Sequence, residues 1–117
     1  MITVWGLKNC DSCKKARKWL EARGTDYVFK DVRADGLDAG TIGSWLESVE
    51  ADVLLNKRGT TWRGLDEANQ KRAETQEGLV ELLAELPALI KRPVFVLGES
   101  ARVGFSKVDQ QALEELL

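Results

Sequence analysis

The first 32 residues follow a strand, helix and strand pattern that restricts the fold to a small set. Ile2-Thr3-Val4-Trp5 is a β-branched and aromatic run that ends at Gly6. A helical stretch follows to about Arg23, Gly24 is a candidate C-cap, and Tyr27-Val28-Phe29 is typical of a second strand. This order predicts a βαβ unit with parallel strands.

Residues 35 to 90 form a block of helical periodicity. Apolar residues recur at i, i+3, i+4 and i+7 in two runs, which are Ile42, Trp45, Leu46 and Val49, and then Leu79, Leu82, Leu83 and Leu86. Between the two runs, residues 56–62 have the composition of a polar and basic loop. The spacing therefore predicts two amphipathic helices in an insert at about residues 35–90, packed on the sheet.

The last third of the sequence returns to strand patterns. Val94-Phe95-Val96-Leu97 and residues 102–105 flank a Gly98-Glu99-Ser100 turn, which is typical of an antiparallel hairpin. Ser106-Lys107-Val108-Asp109 is a capping box for a final helix with the apolar stripe Val108, Ala112, Leu113 and Leu116. The order βαβ, helical insert and ββα predicts one α/β domain over residues 1–117 with a mixed four-stranded sheet.

Histidine is absent and cysteine occurs only twice, which limits the chemistry of the chain. Ser-His and Cys-His catalysis and histidine-ligated metal sites are excluded. Two cysteines three positions apart also do not form the disulfide framework of a small secreted domain. We therefore expect any catalysis to use cysteine, lysine, arginine or carboxylate side chains.

The charge distribution and hydropathy predict a soluble protein. The net charge is −2, and the 17 basic and 19 acidic residues are interspersed, which disfavours direct binding to nucleic acid or to an anionic membrane. No apolar run reaches about 18 residues, and no apolar leader is evident. We therefore expect a cytoplasmic protein, and a monomer because no extra apolar stripe is present.

The motif Cys10-Asp11-Ser12-Cys13 stands at the start of the first predicted helix. Unpaired backbone N–H groups and the positive end of the helix dipole favour a thiolate there. Asp11 opposes this effect, whereas positive charge is added by three nearby lysines, Lys8, Lys14 and Lys15. We expect the pKa of Cys10 to lie below that of an ordinary thiol.

The same loop is suited to bind an anion. The N–H groups of Asp11, Ser12 and Cys13 can hold an oxyanion, a glutathione carboxylate or a thiolate leaving group. Cys13 falls on the helix face of Ala16 and Leu20, so it is predicted to be more buried than Cys10. These positions predict Cys10 as the nucleophile and Cys13 as the resolving thiol.

Other interpretations of the two cysteines remain open. The pair could be half of a zinc site that a partner chain or carboxylates complete. Cys13 could be a small apolar residue on a buried helix face. Cys10 could be inert, although the polar start of a helix is not a typical core position.

Three sequence blocks together resemble one protein family. They are Cys10-Asp11-Ser12-Cys13, residues 54–63 and Ile90-Lys91-Arg92-Pro93. In this order they resemble the arsenate reductase (ArsC) family, and within it the YffB-like branch, whose relatives include the regulator Spx. The resemblance covers nearly the whole chain. It implies a thioredoxin-like fold with a helical insert, in which the proline before the third strand, Pro93, is cis and faces the cysteine.

The resemblance also implies roles for individual residues. Arsenate reductases of this family attack arsenate with one cysteine, bind the oxyanion with three arginines and take electrons from glutathione and glutaredoxin. Cys10 matches the nucleophile, and Arg92 matches one of the arginines. At the other two matched positions the chain has Asn56 and the segment Gly104-Phe105-Ser106. This departure disfavours arsenate as the substrate, because charge-assisted contacts to a doubly charged oxyanion are lost.

The predicted site combines the motif with the resemblance. Its catalytic residues are Cys10, Cys13 and Arg92, and its substrate-binding residues are Asp11, Ser12, Lys14, Asn56, Arg58 and Pro93. No metal and no bound cofactor are predicted. Glutathione is the predicted co-substrate, with another small thiol or an anionic substrate as alternatives, and glutaredoxin or thioredoxin as protein partners.

The predicted function is a glutathione-dependent thiol–disulfide oxidoreductase similar to arsenate reductases. The Cys10 thiolate attacks a disulfide or another electrophile, and Cys13 or glutathione resolves the product. A second hypothesis is a redox switch similar to Spx that binds RNA polymerase, with a Cys10–Cys13 disulfide controlling the interaction. A third is a non-catalytic thioredoxin-like module with unreactive cysteines.

Overall fold

The computed structural model describes all residues, 1–117, and its first third is the predicted βαβ unit. Strand β1 (Ile2–Gly6) is followed by helix α1 (Asp11–Ala22) and strand β2 (Tyr27–Asp31). The two strands are parallel. Gly24 follows α1 with a φ of +68°. Each element lies within two residues of its prediction, because its pattern is long and is bounded by clear end signals.

The insert consists of short helices. They are α2 (Ala39–Trp45), α3 (Ala51–Leu54), α4 (Thr60–Arg63), α5 (Glu67–Arg72), α6 (Gln76–Glu85) and a 3-10 turn (Pro87–Leu89). Helix α6 contains Leu79, Leu82 and Leu83 of the second predicted run, whereas α2 ends at Trp45, before Leu46 and Val49 of the first. The prediction of a polar and basic loop at residues 56–62 was only partly correct, since α4 begins at Thr60. A helix of four residues is too short to show periodicity in the sequence.

The hairpin completes a mixed four-stranded sheet. Strand β3 (Val94–Leu97) is antiparallel to β1 and to β4 (Ser100–Val103), and the strand order is β2-β1-β3-β4. The last strand begins two residues before the predicted start, because Leu97 pairs with Ser100 and only Gly98 and Glu99 form the turn. The predicted α/β class and the four-stranded sheet are confirmed.

The final helix, α7 (Lys107–Leu116), begins with the predicted capping box between Ser106 and Asp109. Its predicted apolar stripe was only partly correct. Leu113 is fully buried, but Val108 is 70% exposed and Leu116 is 61% exposed. The helix therefore packs on the sheet through Leu113, whereas the apolar side chains near its two ends face solvent.

The two faces of the sheet are covered differently. On the face of α1 and α7 lies a cluster of six buried residues, which are Ile2, Val4, Ala16, Leu20, Phe95 and Leu113. On the other face, sixteen buried residues join the sheet to the insert, with Trp5 packed edge-on against Trp45 at 5.8 Å between ring centroids. Alternate residues of β3 point to opposite faces, as the strand period requires. None of the helices has the length and apolar character needed to span a membrane.

Candidate active site

Cys10 is the N-cap residue of α1. Its backbone N–H donates to the carbonyl of Leu7 at 3.2 Å, and its own carbonyl accepts from the N–H of Lys14 at 2.9 Å. The N–H groups of the first turn, at Asp11, Ser12 and Cys13, therefore lie beside Cys10 without partners within the helix. The Cys10 side chain is half-buried, and no disulfide joins it to Cys13. This position makes the thiol accessible next to backbone donors.

Cys13 lies one turn further along α1 and is fully buried. It shares the buried helix face with Ala16 and Leu20, as the sequence predicted. Its sulfur packs against Gly6 at the end of β1, where any larger residue would clash with it. Burial and the neighbouring Cys10 raise the pKa of Cys13 to about 11. The inner thiol therefore stays protonated at neutral pH.

Cys10 has the opposite electrostatic environment. Burial raises the pKa of its thiol, but hydrogen bonds from the backbone N–H and the thiol of Cys13 and from the Arg92 guanidinium lower it by more. The net effect is a pKa below that of an ordinary thiol, as predicted. The predicted source of the positive charge beside Cys10 was wrong. The cation that lowers the pKa of Cys10 is Arg92, whereas the three nearby lysines, Lys8, Lys14 and Lys15, are exposed.

Arg92 reaches the cysteines because two distant segments of chain pair at the end of the insert. Leu55 and Ile90 form an isolated antiparallel bridge, flanked by the hydrogen bond from the Lys91 N–H to the Leu54 carbonyl at 2.8 Å. The Arg92 guanidinium donates to the carbonyls of Ala88 at 3.4 Å and Ile90 at 3.3 Å. Its buried Nε has no partner. The Arg92–Pro93 peptide bond is cis, as the resemblance implied.

Cys10 opens onto a cavity of about 600 Å³. Four of the predicted site residues line it: Cys10, Ser12, Asn56 and Arg92. The others do not line the cavity. Cys13 and Pro93 are buried, while Asp11, Lys14 and Arg58 are exposed. Arg58 instead donates its backbone N–H to Oδ1 of Asn56 at 3.0 Å, which forms a turn after the bridge.

Sequence reasoning missed several charged residues of the cavity wall. They are Asp52, Lys91 and Asp109. Asp109 was identified only as a helix cap, a role that it fulfils through Ser106, and it also pairs with Arg102 at 3.2 Å. Lys91 precedes the predicted Arg92 in the sequence, so it could have been found. Nothing in the sequence pattern indicated Asp52, which the insert brings to the cavity. No three cysteine or carboxylate side chains converge to hold a metal ion.

This arrangement defines a thioredoxin-like protein with a thiol site at the start of α1. The sequence matches the ArsC family over residues 5–113, and the chain belongs to that family. An uncharacterised protein of Haemophilus influenzae is 44% identical over 112 residues, which cover 96% of this chain and 97% of that protein. The solved structure of the YffB protein superimposes with a TM-score of 0.85 at 37% identity and covers 96% of this chain and 97% of its own.

Spx regulators are more distant relatives. The global transcriptional regulator Spx of Bacillus subtilis is 28% identical over 109 residues, which cover 92% of this chain and 82% of Spx. The predicted membership of the ArsC family, with relatives that include YffB and Spx, is therefore confirmed.

Proposed function

We propose that this protein is a thiol–disulfide oxidoreductase in which Cys10 is the nucleophile, Cys13 is the resolving thiol and glutathione is the co-substrate. The observation that carries the proposal is the contrast between the two thiols. The pKa of Cys10 is lowered beside Arg92 at the cavity, whereas burial raises that of Cys13 to about 11. An accessible thiolate suits attack on a disulfide, and a buried, protonated thiol beside it suits the later resolution of the mixed disulfide.

The proposed reaction is thiol–disulfide exchange. The Cys10 thiolate attacks glutathione disulfide, a Cys10–glutathione disulfide forms, and one glutathione leaves as a thiolate. Cys13 then loses its proton to solvent and attacks the Cys10 sulfur, which releases the second glutathione and leaves a Cys10–Cys13 disulfide. Two electrons pass from the protein to glutathione disulfide, and the reverse sequence reduces the protein. The first step also removes the Cys10 charge that helps to raise the pKa of Cys13.

Arsenate is a weaker candidate substrate for this cavity. At the two positions matched to arginines of the family, the chain has Asn56 and the segment Gly104-Phe105-Ser106, neither of which supplies a cation. Asn56 and Gly104 line the cavity, and Arg102 is paired with Asp109. Each missing charge-assisted contact would cost about 1.5–3 kcal/mol of binding to an oxyanion. A disulfide substrate needs fewer convergent cations, so the cavity favours thiol exchange.

Intact mass tests the proposal directly. Reduced wild type, Cys10→Ser and Cys13→Ser are exposed briefly to glutathione disulfide. Wild type should lose two hydrogens, Cys13→Ser should gain one glutathione, and Cys10→Ser should remain unmodified. If all three proteins remain unmodified, the proposed activity is wrong.

The likeness to Spx supports a second candidate function, a redox-controlled regulator that binds RNA polymerase. The observation in its favour is the 28% identity over 109 residues to a transcriptional regulator. A binding assay between purified RNA polymerase and this protein, in its reduced and oxidised forms, tests it. Redox-dependent binding would support this function, and no binding in either state would reject it.

A further inference from the structure

The cavity in front of Cys10 carries charge of both signs. Arg92 and Lys91 line it together with the carboxylates of Asp52 and Asp109. The charges of these four side chains cancel, so the cavity offers little net attraction to an inorganic dianion. A ligand with separate positive and negative groups matches such a wall better.

The two carboxylates of the cavity, Asp52 and Asp109, differ in whether they are free to bind a ligand. Asp109 accepts hydrogen bonds from the backbone N–H of Ser106 at 2.9 Å, from its hydroxyl at 2.8 Å and from Arg102 at 3.2 Å. Its charge is therefore neutralised and its position fixed by α7. Asp52 lies in α3, is exposed and forms neither an ion pair nor a side-chain hydrogen bond. Asp52 is the free carboxylate of the cavity.

Asp52 also lines a second cavity of about 610 Å³, which is lined by the helices of the insert. Lys57 and Trp62 form part of its wall, with the Lys57 ammonium 5.5 Å from the centroid of a Trp62 ring. Lys71, on the same wall, is already paired with Glu67 at 3.4 Å. Lys57 has no carboxylate partner, so it is the free cation of this space, and the carboxylates without an ion pair there are Asp52 and Glu74.

We propose that Asp52 binds the ammonium group of the thiol substrate and selects thiols that carry a free amino acid end, such as the γ-glutamyl group of glutathione. The α-ammonium group contacts Asp52, and the neighbouring α-carboxylate extends towards Lys57 in the second cavity. The sulfur lies at Cys10, and a further carboxylate faces Lys91 and Arg92. This inference rests on the proposed function and adds a specificity-determining residue to it.

The test uses the Cys13→Ser background, in which the adduct on Cys10 accumulates. The rate of adduct formation is measured by intact mass with three disulfides: glutathione disulfide, the disulfide of N-acetylated glutathione, which lacks the ammonium group, and 2-hydroxyethyl disulfide, which is uncharged. Asp52→Asn is the test variant. Glu50→Gln is the matched control, because Glu50 is an exposed carboxylate next to α3 that lines neither cavity.

The expected result is a loss of preference for the amino-bearing disulfide. In Asp52→Asn, the ratio of the glutathione disulfide rate to the N-acetylated disulfide rate should fall about two- to fivefold, the size expected of an exposed ion pair. The rate with 2-hydroxyethyl disulfide should not change, and Glu50→Gln should keep the original ratio. The preference of the parent protein should also weaken as salt concentration rises.

Two outcomes overturn the inference, and they are distinguishable. If the parent protein reacts with 2-hydroxyethyl disulfide but Asp52→Asn keeps the full preference, Asp52 does not recognise the ammonium group, while the proposed function stands. If no disulfide forms an adduct on Cys10, the proposed function fails and the inference fails with it.

Discussion

The two faces of the sheet supply different parts of the candidate site. The face covered by α1 and α7 contains six clustered buried residues and carries both cysteines. The face covered by the insert contains sixteen, and its chain returns to the sheet at Arg92. Cys10 is thus placed by local structure, whereas the charge around it depends on packing between segments far apart in the sequence. Substitutions on the face of α1 and α7 and substitutions on the face of the insert should therefore differ in their effects on stability and on the reactivity of Cys10.

The largest effect on stability should come from the core beneath the insert. Trp45 is 2% exposed and packs against Trp5. Trp45→Ala should lower the free energy of unfolding by about 3–5 kcal/mol, because it removes a large buried side chain and leaves a cavity. Urea denaturation measures this, with the half-buried Trp62→Ala as the control. Equal losses in the two variants would contradict the burial of Trp45.

Cys13 should make stability depend on alkaline pH. Its folded pKa is about 11, and that of an unfolded thiol is about 8.5. Between these values the unfolded chain has released the proton that the folded chain retains, so stability falls as pH rises, by about 3 kcal/mol. Urea denaturation of the reduced protein across this range measures the loss.

Cys13→Ser is the control for this titration, because a serine does not ionise in that range. The difference in unfolding free energy between wild type and Cys13→Ser should shrink as pH rises. Parallel curves for the two proteins would show that the inner thiol has an ordinary pKa.

Arg92 should control the reactivity of Cys10 from the insert side. Arg92→Met removes a hydrogen bond and a positive charge, so the pKa of Cys10 should rise. Alkylation of Cys10 by iodoacetamide at neutral pH should become about two- to tenfold slower, the range for one hydrogen bond. Arg58→Met removes an exposed arginine outside the cavity and should leave the rate unchanged. Identical pH profiles of the alkylation rate for wild type and Arg92→Met would contradict the assignment of Arg92 as the cation that lowers the pKa of Cys10.

The smallest effect should come from a single cap in the insert. The Thr75 hydroxyl accepts a hydrogen bond from the N–H of Gly78 at 3.1 Å at the start of α6. Thr75→Ala should cost about 1 kcal/mol of stability. Thermal or urea unfolding measures it, and Thr75→Ser, which keeps the hydroxyl, should restore most of the loss. A Thr75→Ala protein as stable as wild type would show that the cap contributes nothing.

Prediction from sequence succeeded where patterns were long and local. The βαβ unit, the burial of Cys13 behind Cys10 and the capping box of α7 all follow from residues within one or two turns of each other. It failed at α4, which is too short to show a period, and at the outer turns of α7, where an apolar residue does not reach the sheet. Asp52 was missed because Cys10 and Arg92, which line the same cavity, lie far from it in the sequence.

The sequence by itself determined the βαβ unit, the hairpin and the final helix, the cysteine pair at the start of a helix and the resemblance to the ArsC family. Those features depend on side-chain periodicity, on capping groups and on residues adjacent in the chain. Only the tertiary structure decided which charges surround Cys10. The bridge between Leu55 and Ile90 brings the insert back to the sheet, and electrostatic interactions depend on distance in space rather than along the chain.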